Sequence, residues 1–439
     1  MCPTVLVTRR APTPRGRRII VLTLVAALVA LMSALVMRAR PTTTFAGTLP
    51  VGSGPQEVAL DAHTGYAFVT NNAASTVTML DTHNGAVRRT IPVVNSPLEV
   101  GVDATTSRAF VVNTSGEVSV LDTTTGDLLR TLAVSPLANR ELCHVVVDER
   151  NDRVLISMGN GTMPSILTFL DGRTGAMLRQ VPVGKFAKAV AVDERLRRVF
   201  VANVNDNTVS VVDEGAARVV RTVPLNAGPL DVAVDERLGR VFVPDVAGGV
   251  SVLDARSGAL LHTVTMDQNP VAVAVDERRG RLTILANAGT SVLDTRRLRV
   301  LRRIAVGAMP SSAKAHNPSA AAVDTRTGRA FIIDAVSFDQ HGQRRNGSVS
   351  VLDVQTGRVV GHLSVGQAPM ALAVDEEMGR LLVVNMDGAG PGGVTSGSNT
   401  WGWVPVGVRR WLPWFRRSAP QAPQADTSGS VSVLDISRL

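Results

Sequence analysis

Four polar residues stand at one position of a repeated sequence, and together they could bind a cation. Each lies four residues before an aspartate that ends a short aliphatic run, and they are Glu57, Glu99, His144 and Asp231. Other copies of the repeat place alanine there, at Ala189, Ala272, Ala320 and Ala371. Carboxylate oxygens and imidazole nitrogens are ligands for divalent cations. The set therefore predicts a divalent cation site, and the alternative is that these groups are merely hydrated.

The repeat that carries these residues has a period of about 40 residues, which is typical of one blade of a β-propeller. Runs similar to Val-Ala-Val-Asp end at Asp61, Asp103, Asp148, Asp193, Asp235, Asp276, Asp324 and Asp375. Runs similar to Val-Leu-Asp end at Asp81, Asp122, Asp171, Asp213, Asp254, Asp294, Asp353 and Asp435. Within residues 225–265 the alternation of apolar and polar residues indicates four short strands.

Both motifs occur eight times, which predicts an all-β, eight-bladed β-propeller, with a seven-bladed ring as the alternative. A lone four-stranded sheet cannot bury both faces, so the copies are expected to stack around an axis. The last copy stops after its third strand, and residues 43–50 precede the first copy like an unattached fourth strand. We expect these two pieces to pair, because closure protects the edges of the sheets. A large residue recurs in the second strand and is expected to pack between blades, at Phe68, Phe110, Phe200, Phe242 and Phe331.

The connections between strands predict two unequal rims. Turns after the first and third strands are short and run from aspartate to glycine, as at residues 235–239 and 254–258, where the aspartate caps the turn and the glycine takes a positive φ. The remaining connections contain the insertions at 306–318, 335–347 and 387–430. We call the first side the tight-turn rim and the second the expanded rim. Binding residues tend to lie on loops of a rigid scaffold, so the expanded rim is the predicted binding face.

Polar residues follow the second strand at the expanded rim in most copies. They are Asn71, Asn113, Asn203, Asp245, Asn287, Asp334 and Asn385. We predict that they face a ligand together with His316 and His341, which lie in the loops of the seventh copy. The alternative is that these side chains cap the backbone of the loops.

The second strands resemble those of the YVTN-repeat β-propellers, a family in which a Tyr-Val-Thr-Asn strand recurs. The matching segments are FVTN at 68–71, FVVN at 110–113, FVAN at 200–203 and LVVN at 382–385. Phe, Leu or Ile takes the place of the Tyr, and the resemblance covers residues 43–439. It implies a bacterial protein that is exported or displayed at the surface, and it implies no particular activity.

The amino terminus predicts a membrane anchor. Residues 19–37 are uncharged and mostly apolar, and as a helix they would span about 28 Å. Five arginines precede this run and two follow it, which favours a cytoplasmic amino terminus. We therefore expect a cytoplasmic segment at 1–18, a transmembrane or signal anchor at 19–37, a linker at 38–42, and a propeller at 43–439 in the periplasm or outside the cell. The alternative is a cleaved signal peptide.

The net charge of +9 is concentrated at the amino terminus. Seven of the 46 Lys and Arg residues precede Glu57, the first acidic residue, which leaves 39 basic against 37 acidic residues. This near balance excludes a globally basic nucleic-acid binder. The cysteines, Cys2 and Cys143, fall on opposite sides of the predicted anchor, so no disulfide can form within the exported part.

The insertion at 387–430 has an unusual composition. It contains a cluster of aromatic and basic residues, Trp401, Trp403, Arg409, Arg410, Trp411, Trp414, Phe415, Arg416 and Arg417. Indole and guanidinium groups suit a bilayer interface, so the segment is predicted to contact a membrane or a partner. The alternatives are a loop that folds back on the propeller and a disordered segment.

The sequence contains no recognised catalytic motif: it lacks G-x-S-x-G, H-E-x-x-H, paired CxxC, a phosphate-binding loop and CxxCH. We therefore predict a non-catalytic binding scaffold that presents the expanded rim to a protein, glycan or lipid surface, without an obligatory cofactor. The alternative is a metal-dependent, lactonase-like or lyase-like propeller enzyme, in which Glu57, Glu99, His144 and Asp231 hold a cation.

Overall fold

The structure is a computed structural model, and it describes residues 47–134, 142–159, 161–266, 269–286, 289–306, 321–334, 346–387, 428–437 and 439. One compact unit spans Phe45–Leu439. The predicted anchor at 19–37 lies outside the described residues. No helix among the described residues is long and apolar enough to cross a bilayer.

The described chain is built from β-strands, apart from a short 3₁₀ turn at Val204–Asp206. The first strand, β1 (Gly47–Ser53), belongs to the last sheet. Sheet 1 contains β2 (Pro55–Asp61), β3 (Tyr66–Asn71), β4 (Thr76–Asp81) and β5 (Ala86–Pro92). Sheet 2 contains β6 (Pro97–Asp103), β7 (Arg108–Asn113), β8 (Glu117–Asp122) and β9 (Leu128–Ala133). Sheet 3 contains β10 (Leu142–Asp148), β11 (Arg153–Gly159), β12 (Pro164–Asp171) and β13 (Met177–Lys185).

The next three sheets repeat the same antiparallel order. Sheet 4 contains β14 (Ala187–Asp193), β15 (Arg198–Asn203), β16 (Thr208–Asp213) and β17 (Arg218–Pro224). Sheet 5 contains β18 (Ala233–Asp235), β19 (Arg240–Pro244), β20 (Gly249–Asp254) and β21 (Leu260–Thr265). Sheet 6 contains β22 (Pro270–Asp276), β23 (Arg281–Ala286), β24 (Gly289–Asp294) and β25 (Arg299–Ile304).

The seventh sheet has seven strands because one long strand is shared between two groups. It contains β26 (Ala321–Asp324), β27 (Arg329–Ile333), β28 (Asn346–Asp353), β29 (Arg358–Asp375), β30 (Arg380–Asp387) and β31 (Ser428–Asp435), with β1 at its edge. The first part of β29 pairs with β28, and its second part pairs with β30. Gln367, where the two pairings meet, marks the passage from one four-stranded group to the next.

The innermost strands form a closed ring. In order around it they are β2, β6, β10, β14, β18, β22, β26 and the second part of β29, which returns to β2. Many of their aliphatic side chains, such as Ala59, Val147 and Val273, stay partly exposed. These side chains also pack against the clusters between sheets, and we call the axis of the ring, which the innermost strands surround, the central channel.

The predicted pairing of the first strand with the last is confirmed. Gly47 pairs with Val433 and Ser53 pairs with Ser428, so β1 runs antiparallel to β31. The described strand covers Gly47–Ser53, and residues 43–46 lie outside the described residues. The edge of the last sheet is thereby covered by the start of the chain.

The predicted phenylalanines pack between sheets. Phe68, Phe110, Phe200, Phe242 and Phe331 are fully buried. Phe242 of sheet 5, for example, lies in a cluster with Leu282 and Ile284 of sheet 6. These aromatic rings fill part of the space between neighbouring sheets. Because the chain has few aromatic residues, aliphatic side chains fill the rest of that space.

The tight turns have the predicted chemistry. Asp235 Oδ1 accepts the backbone N–H of Leu238 at 3.0 Å, and Gly239 has a φ of +62°. Asp254 Oδ1 accepts the N–H of Ser257 at 2.7 Å, and Gly258 has a φ of +68°. These turns therefore form the tight-turn rim, while the strand ends that flank the insertions lie at the opposite, expanded rim.

Candidate functional site

The four polar residues of the repeat lie where the innermost strands leave the expanded rim. Glu57, Glu99 and His144 belong to β2, β6 and β10, and Asp231 lies just before β18. The ring places them around the mouth of the channel. The corresponding alanines, Ala272 and Ala371, occupy the part of the ring formed by sheets 6 and 7.

Glu99 joins sheets 2 and 3 at this mouth. Its Oε2 lies 3.1 Å from His144 Nδ1 and accepts the backbone N–H of Val145 at 3.2 Å. Asp231 joins sheets 5 and 6 in a similar way. Its Oδ1 accepts the N–H of Val232 at 2.8 Å, and its Oδ2 accepts the N–H of Val273 at 2.9 Å. Glu99 and Asp231 therefore each accept a backbone N–H group of the neighbouring sheet.

Glu57 is an acid that keeps its proton at neutral pH. Burial raises the pKa of Glu57 to about 8, and the charge of Glu99 adds to the effect. A hydrogen bond to Glu57 Oε1 from the N–H of Val58, at 3.1 Å, and the charge of His144 oppose the rise in pKa without cancelling it. The raised pKa means that Glu57 holds its proton more tightly than a free glutamate does.

His144 is a cation at neutral pH. Burial lowers its pKa, but the charge of Glu99, the hydrogen bond with Glu99, and the charges of Asp231 and Glu57 together raise it to about 9. The pair His144–Glu99 is therefore an imidazolium hydrogen-bonded to a carboxylate. Such a pair can bind a polar ligand or exchange a proton with one.

Lys188 is a member of the site that the repeat position did not identify. It lies one residue before Ala189, where the pairing of β14 with β15 shifts register between Ala187 and Ala189. The side chain of Lys188 is exposed to solvent, yet the surrounding protein partly desolvates its ammonium group and lowers its pKa, and the charge of Asp231 opposes that fall. Burial also raises the pKa of Asp231, against its backbone hydrogen bonds and the charges of Lys188 and His144. A lone lysine in the aliphatic run of β14 was the available signal in the sequence.

The placement of these groups does not form a metal centre. Within the described ranges, no three His, Cys, Asp or Glu side chains are close enough together to hold a metal ion. Glu99 and His144 are engaged with each other, and the backbone engages Asp231. The divalent cation at this mouth stays a prediction.

The predicted ligand-facing asparagines are in the interior. Asn71, Asn113, Asn203 and Asn385 are at most 2% exposed, and so is Asp245. Asn71 Nδ2 donates to the hydroxyls of the neighbouring strand at 2.9 and 3.0 Å, and Asn203 Nδ2 makes the same pair of bonds. Asp245 and Asn113 instead accept N–H groups of the following loop. These side chains hold the second and third strands together, which agrees with the capping interpretation and leaves them inaccessible to a ligand.

Of the remaining predicted site residues, Asp334 is described and the others are not. Asp334 is half-buried and accepts hydrogen bonds from Ser348 Oγ at 2.5 Å and Ser350 Oγ at 2.7 Å. Asn287, His316 and His341 lie outside the described residues. The same is true of the aromatic and basic cluster, Trp401, Trp403, Arg409, Arg410, Trp411, Trp414, Phe415, Arg416 and Arg417.

Family models, curated proteins and solved structures give different results for this sequence. No family model matches the sequence, and no curated protein matches it. Solved structures do match: the computationally designed Ika8 protein has 15% identity and a TM-score of 0.60, covering 77% of this chain and 95% of its own. BamB from Moraxella catarrhalis has 15% identity and a TM-score of 0.57, covering 77% of this chain and 96% of its own.

A third match is NirN, a dihydro-heme d1 dehydrogenase solved in complex with DHE. It has 14% identity and a TM-score of 0.56, and the match covers 72% of this chain and 67% of NirN. Both BamB and NirN are β-propeller proteins. The fold is a β-propeller. At this level of identity the likeness concerns the fold alone, so the activity of the propeller has to be argued from its own residues.

Proposed function

We propose that the chain is an eight-bladed, YVTN-type propeller that acts as a non-catalytic binding scaffold, and that its expanded rim takes a protein or glycan ligand. The count of eight treats the seven-stranded sheet as two blades, the second of which begins in β29 and is completed by β1. The closed order of the innermost strands supports this count. The second-strand segments that end in asparagine support the YVTN assignment.

One observation carries the proposal: the two rims differ. The strands that flank residues 335–345 and 388–427, β27 with β28 and β30 with β31, meet these segments at the expanded rim. The channel-mouth residues Glu57 and His144 lie at the same rim. A binding face on a rigid scaffold has this combination of variable loops and polar groups held in place.

The membrane anchor at residues 19–37 is part of the proposal. Its support is the uncharged run itself and the arginines on either side of it. In this arrangement the propeller lies in the periplasm or outside the cell, and the amino terminus stays in the cytoplasm.

The proposal is tested by photo-cross-linking of the full chain in its membrane. A photoreactive residue replaces Ser115 or Asn205, both exposed on loops of the expanded rim, and the matched positions are Thr125 and Ser257 on the tight-turn rim. We expect cross-linking at Ser115 and Asn205 to give discrete, saturable adducts. An excess of the soluble propeller should suppress these adducts. Adducts from the tight-turn positions alone would count against the expanded rim as the binding face.

A second candidate is the metal-dependent, lactonase-like or lyase-like enzyme. The observation that favours an active site is the pair of raised pKa values, of Glu57 and His144, in one channel mouth. The placement of the side chains does not itself assemble a cation site. Metal analysis of the purified chain distinguishes the candidates: stoichiometric divalent metal that is lost in Glu99→Ala favours the enzyme.

A further inference from the structure

The chain enters the propeller at the tight-turn rim. Strand β31 runs from the expanded rim to the tight-turn rim and ends at Asp435. Because β1 is antiparallel to β31 and Gly47 pairs with Val433, residue 47 lies toward the tight-turn rim. All of the polypeptide that precedes residue 47 therefore joins the propeller at that rim.

This point of attachment limits the distance to a bilayer, given the anchor at 19–37 on which the inference rests. Nine residues, 38–46, separate the anchor from β1, and they can span about 30 Å at most. The two rims are separated by strands of six to eight residues, or about 20 Å. Because this reach exceeds the height of the ring, the tether alone does not decide which rim faces the bilayer, and the chemistry of the two rims has to decide it.

Arginines recur on the outside of the tight-turn rim. They stand two residues after the aspartate that begins a turn and are exposed, and they are Arg150, Arg173, Arg195, Arg237, Arg256, Arg278, Arg296 and Arg326. The side chain of Arg150 is 59% exposed and lies 3.6 Å from Glu194, and that of Arg173 is 69% exposed and pairs with Asp152 at 3.1 Å, so both stay accessible while paired at the surface. In contrast, the described loops of the expanded rim expose the charged side chains of Lys185 and Asp206.

Most acidic residues of the tight-turn rim are directed inward, and the exceptions are Asp127 and Glu377, which are exposed. Asp193, Asp235 and Asp276 are at most 1% exposed. The glutamates that follow such aspartates bond to the neighbouring sheet: Glu236 Oε1 accepts the N–H of Glu194 at 2.8 Å, and Glu277 Oε1 accepts the N–H of Glu236 at 2.8 Å. The carboxylates hold the turns and sheets together, and the guanidinium groups face outward.

Aliphatic side chains are exposed beside these arginines. Seven outer strands, all except β1, contain a bulge near their start, shown by a register shift at the end of the third strand. In six outer strands the bulged residue is aliphatic and between 38% and 52% exposed: Leu129, Leu178, Val220, Leu261, Leu301 and Val360. A bulge blunts the free edge of a sheet, and here it also holds an apolar side chain near the tight-turn rim.

We propose that the tight-turn rim docks on an anionic lipid bilayer, with its exposed arginines at the headgroup phosphates and its bulged aliphatic residues at the headgroup–acyl boundary. Arginine pairs well with phosphate, and long side chains next to aliphatic ones are typical of surfaces that lie on a membrane. Docking directs the expanded rim away from the bilayer, toward a ligand in the aqueous compartment.

The test uses the propeller, residues 43–439, which contains every described strand within the compact unit Phe45–Leu439. It is mixed with phosphatidylcholine vesicles, with and without phosphatidylglycerol, and binding is measured by co-sedimentation. We expect binding to the phosphatidylglycerol vesicles that weakens with salt, because attraction between arginines and anionic lipids is screened.

Charge variants identify the surface. Each arginine near an anionic bilayer contributes about five-fold to binding, so the triple variant Arg195→Gln, Arg237→Gln, Arg278→Gln is expected to bind about 100-fold more weakly. The matched control is Lys185→Gln on the expanded rim, which is expected to bind like the parent protein. Equal losses in Lys185→Gln and Arg237→Gln would overturn the assignment of the surface.

The orientation of the propeller on the vesicle is measured independently with a fluorescent label on a single cysteine. The label is placed by Leu261→Cys on the outer strand or by Ser115→Cys on the expanded rim, each in a chain that also carries Cys143→Ser. We expect phosphatidylglycerol vesicles to shield the first label from iodide and to leave the second accessible. Shielding of the second label alone overturns the proposal and points to the expanded rim.

Failure of the docking is distinguishable from failure of the anchor. If the propeller does not bind these vesicles while the full chain resists extraction from membranes by alkaline carbonate, the docking is wrong and the anchor stands. If carbonate releases the full chain, the anchor is wrong, and the tether that the inference rests on is absent.

Discussion

His144 Nδ1 lies 3.1 Å from Glu99 Oε2 across the boundary between sheets 2 and 3. The two residues come from the same position of adjacent repeats, so the ring creates an ion pair that neither repeat contains. Because His144 is protonated at neutral pH, the pair links the stability of this boundary to pH.

The first prediction concerns that linkage. The pKa of His144 is raised from 6.5 to about 9, so its contribution to stability is fully present below pH 6.5 and is lost as the pH rises through 9. We expect Glu99→Gln to lower the pKa of His144 and to remove the share of the pH dependence that His144 contributes, while Glu57, whose pKa burial raises to about 8, still contributes as the pH rises through 8. Histidine proton resonances and urea unfolding midpoints between pH 6 and 9 measure the two effects.

Glu149→Gln is the matched control for this prediction. Glu149 Oε1 also joins two sheets, since it accepts the N–H of Ala104 at 2.9 Å, but it does so at the tight-turn rim. The titration of His144 should be unaffected in this variant. An unchanged titration in Glu99→Gln would show that the observed pair is not what raises the pKa of His144.

The second prediction concerns the tight turns. A Cβ added at Gly239 would meet no atom within 4 Å, but Gly239 has a φ of +62°. Gly239→Ala should therefore lower the free energy of unfolding by roughly 1–2 kcal/mol through backbone strain alone. Gly361→Ala is the control, because a Cβ there also meets no atom within 4 Å and the residue lies in β29 without a positive φ. Urea unfolding of both variants measures the difference, and equal effects would refute the strain argument.

Repetition explains why much of the fold could be predicted from the sequence. The aspartate of each turn has a local role that all the copies display, and a glycine accompanies it in most of them, so one blade indicates the others. The strand near residue 47 was predicted for a different reason. The last repeat lacks a fourth strand, and a strand-like segment precedes the first repeat. Both predictions depend on the backbone, of a turn in one case and of a strand edge in the other. This backbone behaves in the same way whichever side chains surround it.

The site was less predictable because it depends on register. Lys188 lies one residue before the repeat position, at a register shift that several innermost strands share, so a rule based on that one position overlooks it. Asn71 was expected to face outward because it precedes a loop, yet it bonds to Thr76 and Thr78 of the next strand. The hydroxyl residues five and seven positions later were the signal, and they recur after Asn203 as Thr208 and Ser210.

The third prediction concerns closure of the ring by β1. Val51 is 7% exposed and packs in one cluster with Leu80 of sheet 1 and Val431 of the last sheet, so it contacts both sides of the closure. Removing two buried carbons in Val51→Ala should lower the free energy of unfolding by about 2 kcal/mol.

Val87→Ala is the control for this substitution, because Val87 lies on the outer strand β5 and is 43% exposed. Its expected cost is within about 0.5 kcal/mol, the usual range for exposed sites. Urea unfolding and limited proteolysis measure the two variants, and opening of the ring in Val51→Ala should also increase cleavage near β31. If both variants lose the same stability, β1 covers the edge of the last sheet without holding the ring closed.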